Sequence, residues 1–291
     1  MMQLSVIIPC FNAAETLSAQ LEALSRQQWD QDWEVIIADN GSRDATVAIA
    51  KRYADKIAHL RIVDASDRKG AAYARNYGAH LAAGAGVAFC DADDEVAPGW
   101  VAAMGTALQT HDLVAGCCEL KKLNQTWAIK ARCGGEARDI WVDGLLQSKL
   151  SPKYPYASSC NLGVKRAIHK KLGGFDETLL TCEDAEYCRR AQLQGFSLNY
   201  VREAIVHYRL RNSLMGIYKQ AYTYSQYRVL LHEKYKSTDV FVRPLTEGIM
   251  AWRLLAKGLV KIRTKTDVAM WLNSLGWRLG HEAGMKQYGN R

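Results

Sequence analysis

Three carboxylates within four residues, Asp91, Asp93 and Asp94, follow directly on the apolar run Val87-Ala88-Phe89-Cys90. Carboxylates at the end of an apolar strand are costly to bury, and a bound cation relieves both their desolvation and their mutual repulsion. An all-oxygen donor set suits a hard ion such as Mg²⁺ or Mn²⁺. Mg²⁺ in particular takes one or two carboxylates together with substrate phosphates. In isolation the same triplet also reads as a solvated acidic turn ahead of a helix near Pro98, so its meaning depends on its surroundings.

Those surroundings are ordered. Ser5-Val6-Ile7-Ile8-Pro9 is a short β-rich run, followed by Cys10-Phe11-Asn12 and a helical pattern of Leu17, Leu21 and Leu24. Trp33 to Ala38 makes a second strand that closes on Asp39-Asn40-Gly41-Ser42-Arg43-Asp44, where Ser42 is placed to cap the next helix and Asp44 to favour its first turn. Leu60-Arg61-Ile62-Val63 is a third strand, residues 70–83 read as an alanine-rich helix, and the fourth strand delivers Asp91 and Asp93. Strands alternating with helices predict βαβ units and an α/β fold with a doubly wound, mostly parallel sheet. Ligands in such sheets sit at the carboxyl ends of the strands, so Asp39 and the Asp91 cluster are expected on one edge.

At 291 residues and 48% hydrophobic content, the chain can bury one substantial core and a smaller appendage. No run of eighteen apolar residues reads as a membrane span, and with the first strand so near residue 1 no signal peptide is expected. Eight cysteines without a CxxC pair predict reduced, structural thiols in a cytoplasmic protein, and neither spacing nor nearby histidines support zinc. The net charge of +8 is uneven: residues 1–200 hold 22 basic and 24 acidic side chains, residues 201–291 hold 16 and 6. In this basic tail Ile249, Trp252, Ala256 and Leu259 share one helical face, while Arg253, Lys257 and Lys261 recur every four residues. Such a helix lies on anionic lipid at the inner face of a plasma membrane, or packs on the enzyme with a solvated basic face. No nucleic-acid-binding module is visible, and no nucleic acid is expected as a partner.

Val6-Ile7-Ile8-Pro9-Cys10-Phe11-Asn12, Ile37 to Asp44, Ala74-Arg75-Asn76-Tyr77-Gly78 and Asp91-Ala92-Asp93-Asp94 together resemble family 2 glycosyltransferases with the A-type nucleotide-sugar fold. The resemblance continues in order through Gly173-Gly174-Phe175-Asp176-Glu177, Glu183-Asp184 and His207, covering roughly residues 3 to 210. Each block is weak alone and the ordered set is specific.

The resemblance implies roles. Asp39 would accept from a pyrimidine imide N–H, with Pro9 and Phe11 framing the base and Glu15 beside them. Arg75 would reach the donor near its ribose or diphosphate, as a guanidinium fork suits phosphate oxygens. Asp93 would ligate the metal (Mn²⁺ or Mg²⁺), Asp91 would contact ribose or coordinate through water, and His207 would add a further metal contact. Asn161, in Ser158-Ser159-Cys160-Asn161, would border the donor sugar. Asp184 would be the catalytic base and Glu183 would orient or bind acceptor. Both acids sit where a helix N-terminus favours ionised carboxylates, while their adjacency and burial push one pKa up.

The expected protein is an inverting, metal-dependent transferase that moves a sugar from a nucleoside-diphosphate sugar, UDP favoured, to a saccharide or lipid-linked acceptor in bacterial surface polysaccharide or glycolipid synthesis. Its expected parts are a catalytic domain at 1–212 (nucleotide half about 1–95, acceptor half about 96–212) and a basic, mostly helical extension at 213–291. The rivals are a nucleotidyltransferase, for which the first loop lacks a glycine-rich basic segment, and a non-catalytic sugar-nucleotide scaffold or sensor, which would have no use for Glu183-Asp184.

Overall fold

Apolar, β-branched runs and alanine- or leucine-rich amphipathic runs alternate through the first two thirds of the chain, and the backbone follows them. A computed structural model describes residues 1–133, 141–142, 144–148, 151–236 and 249–289. In chain order the elements are β1 (Leu4–Cys10), α1 (Leu17–Ser25), β2 (Trp33–Asp39), α2 (Thr46–Lys51), β3 (Leu60–Asp64), α3 (Ala71–Leu81), β4 (Gly86–Phe89) and β5 (Glu95–Val96). They continue with α4 (Trp100–Thr110), β6 (Leu113–Glu119), α5 (Thr126–Arg132), β7 (Trp141–Val142), β8 (Leu146–Ser148), β9 (Ser151–Tyr156), β10 (Leu162–Lys165), α6 (Arg166–Leu172) and α7 (Glu183–Leu193). The last are β11 (Leu198–His207), α8 (Leu214–Tyr235), α9 (Ile249–Leu259) and α10 (Lys265–Tyr288).

The main sheet runs β3-β2-β1-β4-β10-β6-β11-β5, with β7 paired to β6, and β8 and β9 form a separate two-stranded sheet. The β3-β2-β1-β4 half is parallel, and its register sets Cys10 beside Asp39 and Asp39 beside Asp64. Strands covered on both faces need apolar residues on both, as in the Val6-Ile7-Ile8 and Val35-Ile36-Ile37 runs. Val6, Ile8, Val35 and Ile37 pack with Leu17, Leu21, Leu24, Trp100 and Met104 on one face. Ile7, Ile36, Val87 and Phe89 pack with Ala72, Ile168, Leu172 and Tyr187 on the other. The sheet is therefore doubly wound, as the alternation of strands and helices predicts.

Beyond the first four strands several were not foreseen, β10 among them. β10 inserts antiparallel between β4 and β6, joining the parallel half to a β6–β11 parallel pair. Along that pair Val201 faces Gly116 while Ile205 faces Cys117, so Arg202, Glu203 and Ala204 bulge out of register.

The described residues fall into two compact units. The first comprises Met1–Glu119, Trp141–Leu146 and Tyr154–Tyr208, and holds the main sheet. The second draws on Leu120–Ile140, Gln147–Lys153 and Arg209–Arg291. In the second unit Gly276, Gly280 and Gly284 of α10 lie against Tyr218, Tyr222 and Gln226 of α8, where an added Cβ would strike backbone carbonyls. The contacts advance four residues at a time along both helices, so α8 and α10 run in the same direction. Thr264 and Asp267 form a capping box at the start of α10, satisfying backbone donors that a helix N-terminus otherwise leaves open. α9 turns Leu255 inward and brings Gly258 against Trp271, leaving Trp252 and Leu259 of the expected apolar stripe at the surface. The side chain of Ile249, also in that stripe, lies outside the described residues. Among the described residues no helix is long and apolar enough to cross a membrane.

Candidate active site

The carboxyl ends of β1, β2 and β4 place the first acids. Asp39, the last residue of β2, is buried; its Oδ2 accepts from the Ser42 N–H at 3.2 Å, and its Oδ1 has no hydrogen-bond partner. A buried carboxylate oxygen without a partner is costly, and a ligand donor would satisfy it. The loops after β1 and β2 are laced together. Asn12 N–H donates to Ser42 Oγ (2.9 Å), Arg43 N–H to Asn12 Oδ1 (2.8 Å) and Ala14 N–H to Asp44 Oδ2 (3.0 Å). Ser42 therefore serves this lacing and does not cap α2, contrary to expectation; Asp44 accepts from Thr46, the first residue of that helix. Pro9 is half-buried in β1, Phe11 just past it is 61% exposed, and Glu15 is exposed in the turn before α1. Burial pushes the Cys10 thiol pKa up, and the Asp39 and Asp91 charges raise it further, so both acids converge on the end of β1.

Arg75 is held by protein carboxylates. Its side chain is only 4% exposed on α3, and its terminal nitrogens are spent on protein carboxylates: Nη2 to Asp91 Oδ1 at 2.6 Å and Nη1 to Glu183 Oε1 at 2.9 Å. A guanidinium clamped between two acids is a strut between the β4 end and the start of α7. Burial works against its charge, yet Asp91 and Glu183 outweigh that and hold it protonated more firmly than usual.

Glu183 and Asp184 open α7, after Cys182 turns the backbone through the left-handed region at φ 65. Asp184 is half-buried and accepts from Ala185 N–H at 2.7 Å and Ser159 N–H at 3.3 Å. Burial raises the Glu183 pKa to about 7, with the Asp184 charge adding and Arg75 opposing. Burial also raises Asp184, against the pull of those backbone donors. Glu183, raised to about 7, can accept a proton near physiological pH, and the adjacent Asp184 is raised beside it.

Asp91, Asp94 and Cys160 offer ligand atoms within 4.8 Å of one another. The Cys160 thiol is raised well above its usual pKa, chiefly by a hydrogen bond with Cys118 and then by burial, so it stays protonated. The two carboxylates are what fit a hard cation, and one Asp91 oxygen already accepts from Arg75. Of the expected ligands, Asp91 belongs to this group, whereas Asp93 and His207 lie outside it. His207, at the end of β11, turns Nδ1 to Glu119 Oε2 at 2.7 Å.

Asn161 is not at a ligand surface. It is 1% exposed; its amide donates to the carbonyls of Cys117 and Ala204 (2.9 Å each) and accepts from Trp100 Nε1 (2.8 Å). Ala204 lies in the β11 bulge, so Asn161 satisfies backbone that the register shift leaves open. It holds the fold.

Sequence reasoning missed three supports. Gln20 of α1 is fully buried, donating to Asp91 O (3.0 Å) and accepting from Val96 N–H (2.9 Å), which pins both ends of the acidic loop. Asn76 donates to Phe175 O and accepts from its N–H (2.9 and 2.8 Å), holding the loop in which Gly174, at φ 78, leaves room for the amide. Ser159 gives its N–H to Asp184 and its hydroxyl to Glu183. For Asn76 the signal was its place beside Arg75; Gln20 gave none.

The profile described as Glycosyl transferase family 2 matches residues 5–173. The glycosyltransferase AglE of Haloferax volcanii is 30% identical over 207 residues, covering 69% of this chain. That match spans 65% of AglE, so the chain accounts for less than two thirds of this relative's length. TarS of S. aureus, solved as residues 1–349 with UDP-GlcNAc, superposes with a TM-score of 0.56 at 17% identity over 100% of this chain and 93% of that one. The mannosyltransferase PcManGT of Pyrobaculum calidifontis, solved with GDP-Man and Mn²⁺, gives a TM-score of 0.66 at 18% identity over 96% and 87%. At these identities the two structures speak for the fold.

Proposed function

We propose that this chain, which belongs to glycosyltransferase family 2, transfers a sugar with inversion from a UDP-sugar to a hydroxyl of a saccharide or lipid-linked acceptor. The observation that carries the reading is the acid array along one sheet edge, where Asp39 keeps a buried, unpartnered Oδ1 and the Arg75 strut joins Asp91 to the raised Glu183-Asp184 pair. Asp39 Oδ1 accepts from the imide N–H of uracil, with exposed Phe11 against the base. Asp91 and Asp94 would hold a divalent cation, Mn²⁺ or Mg²⁺, whose charge would offset negative charge growing on the departing diphosphate. Asp184 takes the proton of the acceptor hydroxyl, whose oxygen attacks the anomeric carbon on the side opposite the departing diphosphate. Glu183 keeps its base neighbour oriented through Ser159 and Arg75. A pure binding protein has no use for an acid pair raised toward neutrality, which favours catalysis over a sensor.

The reading assigns catalysis to residues 1–212, and acceptor choice to the 117–155 region and the extension beyond 213. It places the work at the cytoplasmic face of a membrane, in surface polysaccharide or glycolipid assembly. TarS was solved with UDP-GlcNAc and PcManGT with GDP-Man, so uracil and guanine nucleotides are the informative ligands to compare. A thermal-shift panel of UDP, GDP, dTDP and their sugars with Mn²⁺, Mg²⁺ or EDTA tests the proposal, because a ligand that binds only the folded state raises Tm. A metal-dependent shift with UDP and not GDP is expected. No shift with any nucleotide would refute the donor site.

A further inference from the structure

The segment from Ile249 to Lys265 carries five basic side chains and no acidic one. Three of them, Arg253, Lys257 and Lys261, are exposed and have no ion-pair partner among the described residues. With Leu255 and Gly258 turned inward, the outward half of α9 divides into two strips at 3.6 residues per turn. Trp252, Ala256 and Leu259 form one, continued by Val260 just past the helix end; Arg253, Lys257 and Lys261 form the other. The apolar strip is open to water: Trp252 is 39%, Leu259 51% and Val260 72% exposed, and Leu254 on the far flank is 52% exposed. The cations are spaced along a line instead of gathered around one counter-charge.

We propose that α9 is an interfacial helix through which the C-terminal unit docks on an anionic lipid bilayer. The apolar strip enters the headgroup–acyl boundary, and the long stems of Arg253, Lys257 and Lys261 lie along it with their charges among anionic headgroups. The uniform sign selects a negatively charged surface over a neutral one. Three such cations near an anionic leaflet are worth roughly a hundredfold in partitioning. The surface would bring the enzyme to the plane in which a lipid-linked acceptor resides, but its existence does not depend on the transfer reading.

The test is flotation of the full chain with large vesicles of phosphatidylcholine alone and of phosphatidylcholine with about 30% phosphatidylglycerol. Two variants accompany it, Arg253→Ser/Lys257→Ser/Lys261→Ser and Leu259→Asn/Val260→Asn; Trp252 is left alone because its Nε1 bonds Glu282 at 3.1 Å. The proposal expects flotation with anionic vesicles, roughly a hundredfold weaker with neutral ones, with the loss reproduced in the triple-cation variant and in 0.5 M salt. The apolar variant should also lose binding, with Tm unchanged in both. Absence of wild-type flotation, equal binding to both vesicle types, or undiminished binding by either variant would overturn it. So would capture by soluble polyglutamate without capture by vesicles, which would assign the helix to an acidic protein. No sugar enters the assay, so its failure leaves the transfer reading standing, and the converse holds.

Discussion

Replacing Arg75 by Met keeps apolar bulk against the Phe175 ring, 5.8 Å from the guanidinium, and deletes the charge between Asp91 and Glu183. Removing one partner of a buried ion pair costs about 3–5 kcal/mol. Here Asp91 is 28% exposed and regains water, and Glu183, raised to about 7, can take up a proton. Both reduce the penalty, which places the cost at the lower end, about 3 kcal/mol, or roughly 6–12 °C in Tm. The loss also depends on pH. Arg75 lowers the Glu183 pKa relative to the variant, so the stability it gives through Glu183 is present above pH 7 and fades as pH falls through that value. Thermal unfolding at pH 8 and pH 6 should show the larger deficit at pH 8. Arg75→Lys should recover only part of it, because an ammonium cannot bridge both acids in the guanidinium's fixed geometry. A variant melting within about 2 °C of wild type at pH 8, or losing equally at both pH values, would refute the strut.

Asp39→Asn should weaken UDP binding by about 10- to 100-fold in calorimetry, the worth of a hydrogen bond to a charged acceptor; unchanged affinity would remove Asp39 from base recognition. Asp184→Asn should lower kcat by about 10²–10⁴ while leaving UDP affinity nearly intact. In the wild type, kcat/KM should fall as pH drops from 8 to 6, since protonating the raised Glu183-Asp184 pair removes the base; a rate flat through that window would contradict the assignment. Asn161→Ala strands the Trp100 N–H and the Cys117 and Ala204 carbonyls, so it should cost about 3 kcal/mol in unfolding free energy with UDP affinity unchanged. Weakened UDP binding without lost stability would return Asn161 to the donor site.

The parallel half of the sheet was legible because runs such as Val35-Ile36-Ile37 are apolar without interruption and end in an acid, a pattern local in sequence. β10 was not, since four residues containing a glycine carry little periodic signal and its partners β4 and β6 lie far off in the chain. The contacts of Asn161 were not legible for a related reason: the open carbonyl it satisfies arises from a register shift in β11, which no pattern around Asn161 announces. The family likeness located Arg75, but whether a guanidinium meets a ligand or a protein acid depends on what folds over it. For α9 the sequence fixes the amphipathic division, while the choice of inward face was made by Trp271 against Gly258.

The Arg75–Glu183 contact joins residues 108 positions apart. During synthesis the carboxylate that completes the strut emerges roughly 5–20 s after the guanidinium, at typical elongation rates. Until then the β1–β4 segment also lacks β10, and so exposes the β4 edge on which that strand will pair. A growing chain therefore holds a sticky, half-finished sheet for seconds, and slowing translation between codons 91 and 162 should increase its demand for chaperones and its loss to aggregates.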